Sequence, residues 1–149
     1  MSSVFNTSFE VSLRVLLALS IDDRPKTSDV IAAIDFMSVY GKNFGIAETN
    51  LHGDNSYKYG EYAARRVMVK KALKSLVVDG MVDVYEKNGG FHFGINDIGE
   101  AYFASLANEY ATEYTQTAKR AVAYMDGMDE REIIAQIGRM STTALRPGG

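Results

Sequence analysis

The residues of this chain best suited to catalysis stand in one short stretch, Leu-His-Gly-Asp-Asn-Ser-Tyr at positions 51–57. His52 and Asp54 are of the types that orient and polarise a water molecule in hydrolysis. The chain has only two histidines and no cysteine, so a metal site would be short of its usual ligands. No Ser-His-Asp order and no pair of histidines at helical spacing accompanies His52. We therefore expect loop hydrogen bonds from His52 and Asp54, and we predict no catalytic residue, no cofactor and no metal.

Composition narrows the class of protein further. With 149 residues, 46% of them hydrophobic, the chain can bury one core, which favours one domain with an extension. The longest aliphatic run, Val-Leu-Leu-Ala-Leu at 15–19, is far shorter than the ~20 residues of a membrane helix. The N-terminus lacks the basic and apolar segments of a signal peptide. We therefore predict a soluble, cytoplasmic protein that does not enter a membrane.

Positive charge is concentrated in one segment. Between Lys58 and Lys74, six basic residues and one acidic residue give a charge of +5; the net charge of the chain is −3, which leaves −8 elsewhere. In the helix predicted there, Lys70 and Lys74 project away from the apolar stripe, Lys71 flanks them and Arg66 lies at the boundary. This face suits the major groove of DNA, an acidic protein surface or plain solvation, and the sequence leaves all three open.

Arg65 differs from its neighbours because it points toward the apolar stripe of the same helix. A buried guanidinium without a partner costs several kcal/mol, so it must be paired. Asp35, on the preceding predicted helix, is the candidate partner. We therefore predict a structural ion pair between Arg65 and Asp35, and a melting curve that changes in Arg65→Ala.

The elements that position these residues follow from hydrophobic period and capping signals. A capping box at residues 7–10 starts the first helix, Thr27 or Ser28 caps the second, and a third runs from about 59 to 79 after an irregular connection. The period then changes to two at 81–85 and 91–95, around an Asn-Gly pair. Three helices followed by a hairpin predict a winged helix, in an α+β, mostly helical fold.

A single long amphipathic helix is predicted from the Asn96 cap to about residue 124, roughly 40 Å. Such a helix would extend beyond a core of this size. Its stripe must therefore be covered either by the short final helix at about 133–140 or by another chain, and the sequence leaves both open. The residues of this candidate interface are Tyr110, Tyr114, Ala121 and Tyr124.

These elements give a division of the chain into three parts. We predict a winged-helix domain over residues 1–96, a helical extension for intersubunit contacts over 97–140, and a disordered tail over 141–149.

Four segments between about residues 4 and 124 resemble one known family. They read FNTSFEVSLRVLLAL, IDFMSVYGKNFGI, NLHGDNSYKYGEYAARR and LVVDGMVDV. They resemble the small middle component of bacterial three-component ABC-ATPase systems, in the Lamassu-type anti-phage defence group. The stretches VYGKNFGI and LHGDNSYKYGEYAARR are the most specific, whereas the hairpin region would match any winged helix.

The resemblance implies a non-enzymatic adaptor subunit. Its partners would be an ATPase similar to structural-maintenance-of-chromosomes proteins, which would sense foreign or aberrant DNA ends, and a toxic effector, commonly a nuclease. The middle subunit would hold the complex together and help keep the effector silent. No catalytic residue is carried over. The alternative is a homodimeric winged-helix transcriptional regulator, with the long helix as dimer seam and the third helix in the major groove of DNA.

Overall fold

The computed structural model describes residues 7–48, 50–51, 61–106 and 108–143, with side chains described to residue 139. It confirms the predicted α+β, mostly helical class. The elements in chain order are α1 Ser8–Leu19, α2 Ser28–Val39, a 3₁₀ turn Gly41–Phe44, α3 Glu61–Val78, β1 Val82–Lys87, β2 Gly90–Ile95, α4 Asp97–Ala104, α5 Glu109–Tyr124 and α6 Glu130–Thr143.

The predicted starts of the first two helices are confirmed. The Thr7 hydroxyl accepts from the backbone N–H of Glu10 at 3.2 Å, and the Thr27 hydroxyl accepts from that of Val30 at 3.2 Å. Each bond satisfies one of the donors that a helix start leaves free. Thr27 also donates to the Glu130 carboxylate, which joins the start of α2 to the start of α6.

Helix α2 is the centre of the molecule. Every residue from Ile31 to Tyr40 is buried, and the helix contacts α1, α3, α5 and α6. Apart from Asp35 and Ser38, these buried side chains are apolar on every side of the helix, which is stable only when other elements surround it, as they do here. At its end the Phe36 ring packs against the rings of Tyr40, Phe44 and Tyr62, with centroids 5.0, 6.0 and 5.9 Å apart.

The predicted hairpin is confirmed, and one residue outside it, Lys26, pairs with its second strand. Asn88 and Gly89 have φ of 53° and 78°, the pair of left-handed conformations that a tight two-residue turn requires. Strand β1 pairs antiparallel with β2 in a register that sets Val82 opposite Ile95. Lys26, between α1 and α2, exchanges backbone hydrogen bonds with Phe93 at 2.9 and 2.8 Å. The hairpin is thereby attached to the helical body.

The single helix predicted over 97–124 is wrong. Helix α4 ends at Ala104, and α5 begins at Glu109 with Asn108 as its cap; the Asn108 side chain accepts from the backbone N–H of Ala111 at 2.8 Å. The amide of Asn108 supplies the acceptor that a new helix start needs, so the chain restarts there. Both helices are amphipathic, so the apolar period alone does not reveal the break.

Helix α6 is longer than the sequence predicts. The Asp129 carboxylate accepts from the backbone N–H of Glu132 at 2.8 Å, and the helix continues to Thr143, into the segment assigned to a tail. Residues 144–149 lie outside the described residues. In the described ranges, no helix combines the length and the apolar character needed to cross a bilayer.

Candidate functional site

A buried carboxylate ties four helices together. Oδ1 of Asp35, on α2, accepts from Arg14 Nε at 2.8 Å and from the Tyr114 hydroxyl at 2.6 Å. Oδ2 accepts from Arg65 Nη1 at 2.6 Å and from Arg14 Nη2 at 3.4 Å. The predicted partners Arg65 and Asp35 are thus brought together, and α1 and α5 contribute Arg14 and Tyr114, which sequence reasoning missed. We call these four side chains, each between 0 and 2% exposed, the Asp35 hub.

The electrostatics of the Asp35 hub fix the protonation states of Asp35 and Tyr114. Burial alone would raise the pKa of Asp35, but the guanidinium groups of Arg14 and Arg65 outweigh it and hold that pKa well below its usual range. Burial, followed by the Asp35 charge, raises the pKa of the Tyr114 hydroxyl. Glu61 lies 3.6 Å from Arg65 and adds a second negative charge at the edge of the hub. Near neutral pH, Asp35 is therefore held as a carboxylate and Tyr114 as a neutral phenol, and neither is suited to proton transfer.

The tyrosine stripe of the predicted interface lies largely inside this chain. Tyr114 and Ala121 are fully buried, and Tyr110 is half-buried with its ring stacked on Tyr114 at 6.5 Å between centroids. The Tyr124 hydroxyl accepts from Gln136 on α6 at 2.9 Å. Cover by the final helix and the body is the intrachain alternative that the sequence left open. The body and the final helix thus cover Tyr114 and Ala121 fully and Tyr110 and Tyr124 in part.

The outer face of α3 carries the predicted basic residues, but Arg66 is separate from the others. Its Nε and Nη2 donate to the Asp29 carboxylate at 2.9 and 3.2 Å. Lys70, Lys71 and Lys74 are exposed, and within the described ranges none of the three forms an ion pair. The available positive charge on α3 is thus reduced from four predicted cations to three lysines.

Two exposed valines lie on the same face of α3 as the lysines. Val67 is 55% exposed and Val78 is 78% exposed. With 3.6 residues per turn, positions 67, 70, 71, 74 and 78 fall within about 100° of arc. We call these five residues, Val67, Lys70, Lys71, Lys74 and Val78, the α3 face. The sequence predicts the exposed lysines of this face but not its exposed valines. Valine is usually buried, and the apolar stripe of α3 lies on the opposite side of the helix.

The hairpin and α4 expose a second set of apolar side chains. A lone hairpin is marginal in water, so its apolar residues Val82, Val84, Phe91, Phe93 and Ile95 are expected to pack on the helices. Val82 is buried and Phe93 and Ile95 are half-buried, but Val84 and Phe91 are 43% and 62% exposed. The expectation is wrong for these last two: Phe91 lies next to the turn, and Val84 lies on β1, the strand that does not pair with Lys26. On α4, Ile98 and Tyr102 are also exposed, one helical turn apart.

A comparison with known protein families identifies the family of this chain. The model of the family described as ABC-three component (ABC-3C) system Middle Component 2 matches residues 4–146. The chain belongs to this family. No curated protein and no solved structure matches it. As a middle component it is one part of a multi-component ABC system, which implies protein partners. The match includes α6, which lies beyond the segments that carry the sequence resemblance.

The polar residues first considered for catalysis cannot be placed in this middle component. His52 and Asp54 lie outside the described residues. Within the described ranges, no three histidine, aspartate or glutamate side chains are grouped as metal ligands. The candidate functional surfaces of this middle component are therefore the α3 face and the exposed apolar side chains of the hairpin and α4.

Proposed function

We propose that this middle component is a non-catalytic adaptor subunit in a Lamassu-type anti-phage defence system of the cytoplasm. It links an ATPase similar to structural-maintenance-of-chromosomes proteins to an effector. The observation that carries the proposal is the exposure of large apolar side chains in two separate regions, the α3 face and the hairpin with α4. Apolar and aromatic groups that the fold leaves uncovered are typical of protein–protein interfaces.

The hairpin supports the proposal through two exposed apolar side chains. Phe91 and Val84 are exposed although each belongs to the face of the hairpin that contains buried Val82. Each is two residues from a side chain that the body covers more fully, so both extend the apolar surface outward. A partner that covers Phe91 and Val84 would continue the core of this chain into the interface.

Rigid attachment of both regions also supports an adaptor. The Asp35 hub fixes α3 to α1, α2 and α5, and the backbone hydrogen bonds between Lys26 and Phe93 fix the hairpin to the α1–α2 connection. An adaptor must hold two partners in a defined relation, which requires surfaces on rigid elements. The fixed protonation states of the hub support a structural role rather than a catalytic one.

The order of three helices and a hairpin supports a winged-helix body. Lys26 also pairs with Phe93 of the hairpin in a single bridge. In winged-helix and helix-turn-helix proteins that bind DNA, residues near the start of the recognition helix contact base edges. In the described part of α3, the first exposed residues are Ala63 and Ala64, and Arg66 is engaged by Asp29. This arrangement favours a winged helix used for protein contacts.

A phage protection assay tests the proposal. Cells that carry the complete three-component system should resist phage, and cells that lack this chain should not. Phe91→Ser combined with Ile98→Ser should reduce protection about tenfold or more, because both changes remove exposed apolar surface while sparing the core. Lys87→Ser, an exposed polar position on the same hairpin, is the matched control. Full protection without the chain, or substrate turnover by the isolated chain, would contradict an adaptor role.

A further inference from the structure

We infer that the α3 face binds an acidic segment of one of the other two components of the system. The carboxylates of that segment pair with Lys70, Lys71 and Lys74, and its apolar side chains cover Val67 and Val78. This inference rests on the proposed function and names the partner chemistry for one of its two surfaces.

The distribution of charge along the chain favours an acidic partner for the α3 face. Its three lysines are exposed, and no other described residue pairs with them, whereas the chain outside residues 58–74 carries −8. An acidic segment is therefore repelled by most of the surface and attracted to this face. Opposed charges of this kind fix the register of an interface and suppress wrong contacts more than they add affinity.

The valines explain why a protein fits the α3 face better than a nucleic acid does. Val67 and Val78 stand about 16 Å apart along the helix, at the two ends of the lysine cluster. Their side chains have neither charge nor hydrogen-bond donors with which to bind phosphates. Valine is also a poor helix former, so α3 gains nothing from two exposed valines unless a partner covers them. A partner with apolar residues about 16 Å apart and carboxylates between them would match this pattern.

A groove beside the α3 face can bind one side chain of such a partner. The groove lies between α1 and α3, measures about 290 Å³, and has Lys71 on its margin. Val11 and Ala72 are the buried apolar residues in its wall, and Met68 is half-buried there. Ser8, Ser12 and Ser75 complete the lining. An apolar floor with a lysine and hydroxyl groups at its rim suits one apolar side chain flanked by carboxylates.

Zero-length cross-linking of carboxylates to amines tests the inference directly. The complete complex, made by co-expression of all three components, is treated with a carbodiimide and analysed by mass spectrometry. We expect Lys70, Lys71 and Lys74 to join to aspartates or glutamates of one component. Lys87 and Lys119, exposed elsewhere on the chain, serve as references for accessible amines. Cross-links from the reference lysines alone would overturn the inference.

Variants of the α3 face provide the second measurement. Lys70→Glu with Lys74→Glu, and separately Val67→Ser with Val78→Ser, should each weaken binding of the linked component by about tenfold or more. Lys87→Glu with Lys119→Glu makes the same charge change and should leave binding within about twofold. Reversal of the cross-linked carboxylates to lysine should restore binding to the Lys70→Glu, Lys74→Glu variant.

The outcomes separate this inference from the proposed function. If the wild-type chain joins neither component, the adaptor proposal fails and the inference fails with it. If a complex forms but the α3 variants bind as wild type, the adaptor proposal survives and the inference fails. Duplex DNA binding with a steep salt dependence that the lysine variant abolishes would assign the face to DNA instead. Self-association of the chain through α3 would assign it to a second copy.

Discussion

Arg65 Nη1 on α3 donates to Asp35 Oδ2 on α2 across 2.6 Å, and both side chains are 2% exposed. This contact holds the helix that carries the α3 face against the central helix of the molecule. The same carboxylate is shared with Arg14 and Tyr114, so the position of α3 depends on all four side chains. Changes in the Asp35 hub therefore test how the surface is supported.

Asp35→Asn should cause the largest loss of stability in the hub. It leaves the charges of Arg14 and Arg65 buried without their carboxylate, which costs about 3–5 kcal/mol of unfolding free energy. Asp29→Asn lies on the same helix and breaks only the more exposed pair with Arg66, so its cost should stay below about 1 kcal/mol. Urea denaturation followed by circular dichroism measures the unfolding free energy of both variants. Equal losses in the two variants would contradict the structural role of the Asp35 hub.

Arg65→Ala should lower the melting temperature, but by less than Asp35→Asn. Asp35 keeps Arg14 and Tyr114 as partners when Arg65 is removed, so the loss should be about 1.5–3 kcal/mol, as for a hydrogen bond between charged groups. Arg66→Ala is the matched control, with an expected loss below about 1 kcal/mol. Calorimetry distinguishes the two, and an unchanged melting curve for Arg65→Ala would refute a structural role.

Stability should fall at high pH in a way that depends on Tyr114. Burial and the neighbouring Asp35 raise the pKa of Tyr114 above its unfolded value of about 10, so the folded chain retains this proton more strongly. The resulting stability is fully present below pH ~10 and is lost as the pH rises toward the folded pKa. Tyr114→Phe keeps the ring and should show a flatter decline above pH ~10. If the curves of unfolding free energy against pH are parallel for the wild-type chain and for Tyr114→Phe, this prediction is wrong.

Two helical glycines should respond in opposite ways to alanine. A Cβ at Gly99, in the first turn of α4, would overlap the Met81 carbonyl oxygen and lie 2.8 Å from Ile95 Cγ1. Gly99→Ala should therefore destabilise the junction of α4 with the hairpin by about 1–3 kcal/mol. Gly138 in α6 has open space at that position, so Gly138→Ala should stabilise by about 0.5–1 kcal/mol. Chemical denaturation measures both, and stabilisation by Gly99→Ala would show that α4 packs elsewhere.

Local signals in the sequence predict the helix starts and the hairpin well. The caps at Thr7, Thr27 and Asn96 depend on residues within three positions along the chain, as does the Asn88-Gly89 turn. The sequence also predicts a buried partner for Arg65, because a charge on an apolar face must be neutralised. The same argument applies to Arg14, which lies between Leu13 and Val15 in the apolar run of α1.

The features that the sequence did not predict depend on contacts between distant elements. The choice of Tyr114 as an Asp35 partner depends on how α5 crosses α2, and the cover of Tyr124 depends on where α6 docks. The break at Asn108 was missed because the apolar period continues on both sides of it. The exposure of Val78 and Phe91 likewise depends on how far the body extends over α3 and the hairpin.

Native mass spectrometry tests the central claim, that this chain is the link between the ATPase and the effector. Both partners are expressed together, once without this chain and once with it, and the masses of the assemblies are compared. We predict no stable assembly of the two partners alone and a complex of all three components when the chain is present. An ATPase–effector complex that forms equally well without the chain, or a chain that stays unbound beside both, would contradict the claim.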